Sequence, residues 1–106
     1  GLACVYCGAS VEDGARLTLD HLVCRSAGGT HEADNLVTCC LRCNSSRADR
    51  PVAQFVRSVA AYLNHGVTST DILAHIRACR RRKIDVAAAK ALIAARGGFT
   101  AALQGR

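Results

Sequence analysis

Two Cys-x2-Cys pairs, Cys4 with Cys7 and Cys40 with Cys43, constrain this chain more than any other feature. Two residues between thiols let a tight turn present both sulfurs to one ion. Two such turns complete a tetrahedral four-sulfur site, the closed coordination of structural zinc. The 32 residues from Gly8 to Cys39 exceed the usual zinc-ribbon spacing. An ion there would close a long loop, and its binding would contribute directly to folding free energy. Redox-active pairs or unrelated thiols are the competing readings. Metal is favoured because one pair is followed by Gly8 and the other by Asn44. Cys39 breaks the paired spacing and is left out of the site, as is Cys24. Cys79 lies on an apolar helical stripe and reads as a core thiol.

The rest of the composition explains why such a clip is useful. At 106 residues the chain is one domain with a thin core, holding two Tyr, two Phe and no Trp or Met. Seven cysteines, an odd number without a visible secretory leader, point to reduced thiols and a cytoplasmic setting. No apolar run approaches the roughly 18 residues that would cross a membrane. The formal charge is +6 and uneven: residues 1–50 carry five Lys or Arg against six Asp or Glu, and residues 51–106 carry nine against two. The second half therefore sets up a field that attracts polyanions.

The chain changes character near Pro51. Before it, Leu17 to Val23 has strand propensity, Ser26 to Thr30 reads as a flexible loop, and Leu36 to Thr38 as a short return strand. Cys40 to Arg47 is a short helix, broken before Pro51. After it, Val52, Phe55, Val56, Val59 and Leu63 recur at helical spacing, with Gly66 as a left-handed cap. Thr70 is a candidate N-cap for a helix carrying Ile72, Leu73, Ile76 and Cys79. Asp85 could cap a third helix, with Val86, Ala89, Leu92 and Ile93 inward. The expected class is α+β: a small hairpin-plus-helix core over residues 1–50, then a basic extension of two or three helices over residues 51–106 in the same domain.

The run Leu17-Thr18-Leu19-Asp20-His21-Leu22-Val23, the Gly28-Gly29 loop, Asn35-Leu36-Val37 and Cys43-Asn44 occur in order between the two clips. Together, from about Cys4 to Pro51, they resemble the HNH endonucleases, also called ββα-metal nucleases. Residues 52–106 resemble no family. The resemblance implies that His21 is a general base and that Asp20 and Asn44 ligate a catalytic divalent metal. It also implies that Asn35 braces the loop and orients the histidine, and that the substrate is a DNA phosphodiester. The final motif position varies between His and Asn in the family, and here it is Asn44. Cys24 stands where Pro is common, which puts the local loop geometry in doubt.

The residue chemistry agrees. An imidazole with a pKa of about 6.5 can accept a proton from water near neutrality. A carboxylate and an amide oxygen are hard ligands suited to Mg²⁺ or Mn²⁺. Asp20 and His21 are adjacent on a strand, so a regular strand sends them to opposite faces, and reaching one phosphate asks for a twist or bulge. Asn44 and Arg47, three apart, share a helix face. Arg47 is the first candidate for gripping the scissile phosphate, and Arg25 and Arg42 are weaker ones. Arg77, Arg80 and Arg81 line another helix face that could follow a DNA backbone, although cations at a helix C-terminus are favoured anyway. His31, four residues before Asn35, reads as a plain loop histidine more readily than as a support for the site or a phosphate contact, and His65 and His75 read as surface residues. The alternative to a nuclease is a zinc-stabilised DNA-binding module whose catalysis has decayed. A homodimer is also compatible, since one site cuts one strand at a time.

Overall fold

The computed structural model describes residues 3–64 and 66–95; His65 therefore lies outside the described residues. Strands β1 (Leu17–His21) and β2 (Leu36–Cys40) pair antiparallel, from Leu17 opposite Cys40 to His21 opposite Leu36. Helix α1 (Leu41–Arg47) leaves β2 directly, with Cys40 as its N-cap. Helices α2 (Val52–Leu63), α3 (Ser69–Arg82) and α4 (Val86–Ala95) follow. Among the described residues this is the α+β arrangement expected: one hairpin, one core helix and three C-terminal helices.

The differences from the sequence reading lie at element ends. The Leu22 amide still reaches the Asn35 carbonyl at 2.8 Å in register, and the ladder ends where the Val23 amide turns instead to the Asn35 side chain at 2.9 Å. α2 ends on Asn64, which itself takes the left-handed conformation at φ 49°, so Gly66 falls in the following turn. Asn tolerates that region better than most residues. α3 starts one residue after Thr68, not Thr70. The Thr68 hydroxyl accepts from the Asp71 amide at 3.1 Å and the Asp71 carboxylate accepts from the Thr68 amide at 2.9 Å, a reciprocal pair that Thr70 cannot make. Hydrogen bonding of the carboxylate to the Thr68 amide first, and then to its hydroxyl, also holds the Asp71 carboxyl below its usual range. Ala89 and Ile93 of α4 are buried as expected, but Leu92, also expected inward, is 49 % exposed.

One apolar cluster joins the N-terminal knuckle, the hairpin and all three later helices. It contains Leu17 and Leu19 of β1, Phe55, Val56 and Val59 of α2, Ile72 and Ile76 of α3, and Ala89 and Ile93 of α4. Tyr6 and Phe55 pack edge to face with centroids 4.9 Å apart, an arrangement aromatic pairs favour. The knuckle is tied to the hairpin edge by the Val5 amide on the Thr38 carbonyl at 2.9 Å and the Thr38 hydroxyl on the Ala3 carbonyl at 2.6 Å. No helix among the described residues is long and apolar enough to cross a membrane.

Candidate metal centre and candidate active site

The two Cys-x2-Cys turns meet. The sulfurs of Cys4, Cys7, Cys40 and Cys43 all lie within 4.8 Å of one another, so this cluster can hold a metal ion. The Cys7 and Cys40 sulfurs approach to 3.7 Å, and the Cys43 amide donates to Cys40 Sγ at 3.4 Å. The second knuckle thus doubles as the α1 N-cap. Hydrogen bonds from the Cys39, Cys40 and Cys43 thiols push the Cys4 thiol far below its ordinary range. Hydrogen bonding to Cys4 in turn raises Cys43, and raises Cys40 to about 11. Four thiol donors in this arrangement fit a tetrahedral ion. Cys39 is outside the four; its buried thiol donates to the Cys40 carbonyl at 3.4 Å.

Beyond the clip, α1 lies over one face of β1. Thr18 and Asp20, two apart on the strand, share that face. Asn44 Nδ2 donates to Thr18 Oγ1 at 2.8 Å, and the Thr18 hydroxyl donates to the Cys39 carbonyl at 2.9 Å. One helical turn on, Arg47 Nη1 donates to Asp20 Oδ2 at 2.9 Å. The same guanidinium donates from Nη1 to the His21 carbonyl at 2.6 Å and from Nη2 to the Leu22 carbonyl at 2.7 Å. Its Nε reaches the Arg50 carbonyl at 2.8 Å. Asp20 and Arg47 are each 1 % exposed.

This corrects the expectation that Arg47 grips a phosphate at the surface. Its guanidinium is enclosed and occupied by protein acceptors. The i, i+3 spacing that put Asn44 and Arg47 on one face was right, but that face is the one α1 buries against β1. Thr18 was missed altogether; its two-residue offset from Asp20 was the available signal.

The pairing of β1 with β2 continues one-to-one through Asp20 and His21, so there is no bulge between them. Their side chains leave opposite faces of the strand end. Both are 1 % exposed. The His21 Nε2 lies 2.9 Å from Nδ1 of His31, which is itself exposed. The two rings are tilted by 55° with centroids 4.9 Å apart. His31, read from sequence as a plain loop histidine, thus meets the residue matched to the general base.

The intervening loop explains how His31 arrives there. Gly28 takes φ +90°, a conformation side chains rarely adopt, and a Cβ on Gly29 would run into the Val23 carbonyl. The loop therefore folds back tightly on Val23 and Cys24. Asn35 locks it: Oδ1 accepts from the Val23 amide, while Nδ2 donates to the Val23 carbonyl at 3.1 Å and to the Thr30 carbonyl at 2.8 Å. Cys24 takes φ −61°, the value proline enforces, and its sulfur lies 3.7 Å from Arg47 Nη2. Across the hairpin, the buried Tyr6 phenol is raised well above its usual range, first by burial and then by the Asp20 carboxylate.

The remaining basic candidates are exposed. Arg42 donates to the Tyr62 hydroxyl at 3.0 Å, with its guanidinium 5.1 Å from the ring centroid. Arg80 Nε donates to the Asp34 carbonyl at 2.9 Å, tying α3 to the loop before β2. Arg77 and Arg80 border a surface groove that also touches Val23, Cys24 and Ser26. Arg25 and Arg81 are exposed as well, so Arg47 is the one basic candidate the fold encloses.

Residues 4–50 match the family model described as HNH endonuclease. Over 58 residues the chain is 34 % identical to a CRISPR-associated endonuclease Cas9 from Corynebacterium diphtheriae. That alignment takes in 54 % of this chain and 5 % of the relative, so the chain spans a small fraction of its length. No solved structure matches the chain.

Proposed function

We propose, from residues 4–50 as a member of the HNH endonuclease family, that this protein hydrolyses DNA phosphodiester bonds. The observation that carries the reading is the end of β1. Asp20 and the Asn44 of α1 share one side of it, beside the helix; His21 leaves the other face of an unbulged strand end, so the reading requires the chain to twist there for the imidazole and the two ligands to meet at one phosphate.

In this reading His21 is the general base. It takes the proton of a water molecule that attacks phosphorus, a role typically worth about 10²–10⁴ in rate. Asp20 and Asn44 offer one carboxylate and one amide oxygen, a donor pair that fits Mg²⁺ or Mn²⁺. Such an ion, when bound, stabilises negative charge on the phosphate oxygens. Thr18 accepts from the amide nitrogen of Asn44, which fixes the orientation of that side chain, and an ion would take its oxygen. Arg47 fixes Asp20 Oδ2 and the carbonyls on either side of the turn at Leu22, and so sets where the carboxylate points. Zinc in the four-cysteine cluster is structural. Residues 1–50 form the clipped catalytic unit, and residues 51–106 a basic helical extension packed on it. Arg77, Arg80, Arg81, Arg25 and Arg42 contact the DNA backbone. Two copies acting together would cut both strands.

A second reading draws on the ion pair between Asp20 and Arg47: a DNA-binding module in which the carboxylate has become structural. Incubating zinc-loaded protein with supercoiled plasmid and Mg²⁺ or Mn²⁺ separates the two. The nuclease reading expects nicking that falls at least about 100-fold in His21→Ala. Cleavage that survives this substitution refutes the assigned base, and binding without cleavage in the parent protein favours the second reading.

A further inference from the structure

We infer that His31 is a positioning residue for His21, fixing which ring nitrogen of that base carries its proton. The inference rests on the reading of His21 as the base, and it adds a residue that the motif does not contain.

The argument begins with a buried imidazole. His21 sits at the last position of β1, enclosed by protein, and its Nε2 faces His31 Nδ1 at 2.9 Å. A neutral imidazole has one donor and one acceptor nitrogen, and the partner of one determines the role of the other. With His31 Nδ1 as acceptor, the His21 proton resides on Nε2 and the basic lone pair on Nδ1. His31 is exposed, so its own Nε2–H can be satisfied by water while Nδ1 stays turned inward.

The contact is built by the loop rather than left to chance. Gly28 and Gly29 allow the chain to double back on Val23, and the three Asn35 side-chain hydrogen bonds hold both ends of that turn. His31 follows directly on Thr30, whose carbonyl is one of the Asn35 acceptors. The only freedom left between the lock and the imidazole is one residue of backbone and the His31 side chain. Asn35 thereby acts on His21 through His31.

The test uses zinc-loaded full chain with ¹⁵N-labelled histidine, as the parent protein, His31→Ala and His31→Asn. Asn places an acceptor oxygen at the same side-chain position as Nδ1 of histidine. Long-range ¹H–¹⁵N spectra at pH 7.5 should show His21 of the parent as the Nε2–H tautomer. His31→Ala should become a tautomer mixture, and His31→Asn should return it to Nε2–H. Plasmid nicking with Mn²⁺ should follow: kcat down about 10-fold or more in His31→Ala with KM unchanged, and largely restored in His31→Asn. Because His31 is exposed, the thermal midpoint should change little.

A parent His21 protonated on Nδ1 overturns the proposal, as does His31→Ala with an unchanged tautomer and unchanged kcat. A loss of kcat that Asn does not restore also counts against it. If the parent protein nicks no DNA, the nuclease reading fails, and the imidazole spectra alone decide whether His31 sets the tautomer.

Discussion

Replacing Arg47 with Met tests the deepest feature of the site. Met keeps much of the stem but removes every donor. Asp20 would then be a carboxylate at 1 % exposure without its guanidinium, and the carbonyls of His21, Leu22 and Arg50 would each lose a partner. Removing one member of a buried ion pair typically costs about 3–5 kcal/mol. Each orphaned buried acceptor adds about 1–3 kcal/mol unless water enters. Against a total stability of about 5–15 kcal/mol, the lower figure alone is a large loss. At about 4–8 °C per kcal/mol for a domain near this size, the thermal midpoint should fall by at least about 12 °C. A thermal melt and a urea titration of zinc-saturated protein, both followed by circular dichroism, measure the midpoint and the free energy. Arg57→Met, at an exposed position on α2, is the control and should change stability by less than about 0.5 kcal/mol. Adding Asp20→Asn to Arg47→Met removes the stranded charge and should recover at least about 1 kcal/mol. An Arg47→Met loss under about 1 kcal/mol, or no recovery in the double variant, would refute the argument that this guanidinium is structural.

The four-cysteine cluster predicts that Cys43→Ser, or prolonged chelation of the parent protein, unfolds the domain or lowers its midpoint by tens of degrees, with metal analysis showing one equivalent of zinc lost. Gly29→Ala should cost about 1–3 kcal/mol in urea titrations, because the added methyl must displace the Val23 carbonyl; a neutral substitution would show that the loop is not packed as described. Asn35→Ala removes three hydrogen bonds and leaves the Val23 amide and the Val23 and Thr30 carbonyls without that partner. It should cost about 2–4 kcal/mol and speed amide hydrogen exchange across residues 22–31 relative to α2.

The cysteine spacing, the hydrophobic periodicity and the turn residues were enough to specify the clip, the hairpin, the short helix and the three helices after Pro51. Each of these follows from contacts between near neighbours in sequence or from the stereochemistry of one ion. Positions of side chains relative to other elements were a different matter. Arg47 carries a charge that sequence reasoning sends to the surface. Only the seating of α1 on the Thr18 and Asp20 face gives it enough acceptors to be buried. His31 had no motif to mark it, because its partner lies ten residues away and meets it only once Asn35 has closed the loop. Local sequence thus determined which elements form, since those energies are short-ranged. The tertiary structure decided which polar groups satisfy one another, since a buried charge or imidazole finds its partner only when distant segments pack.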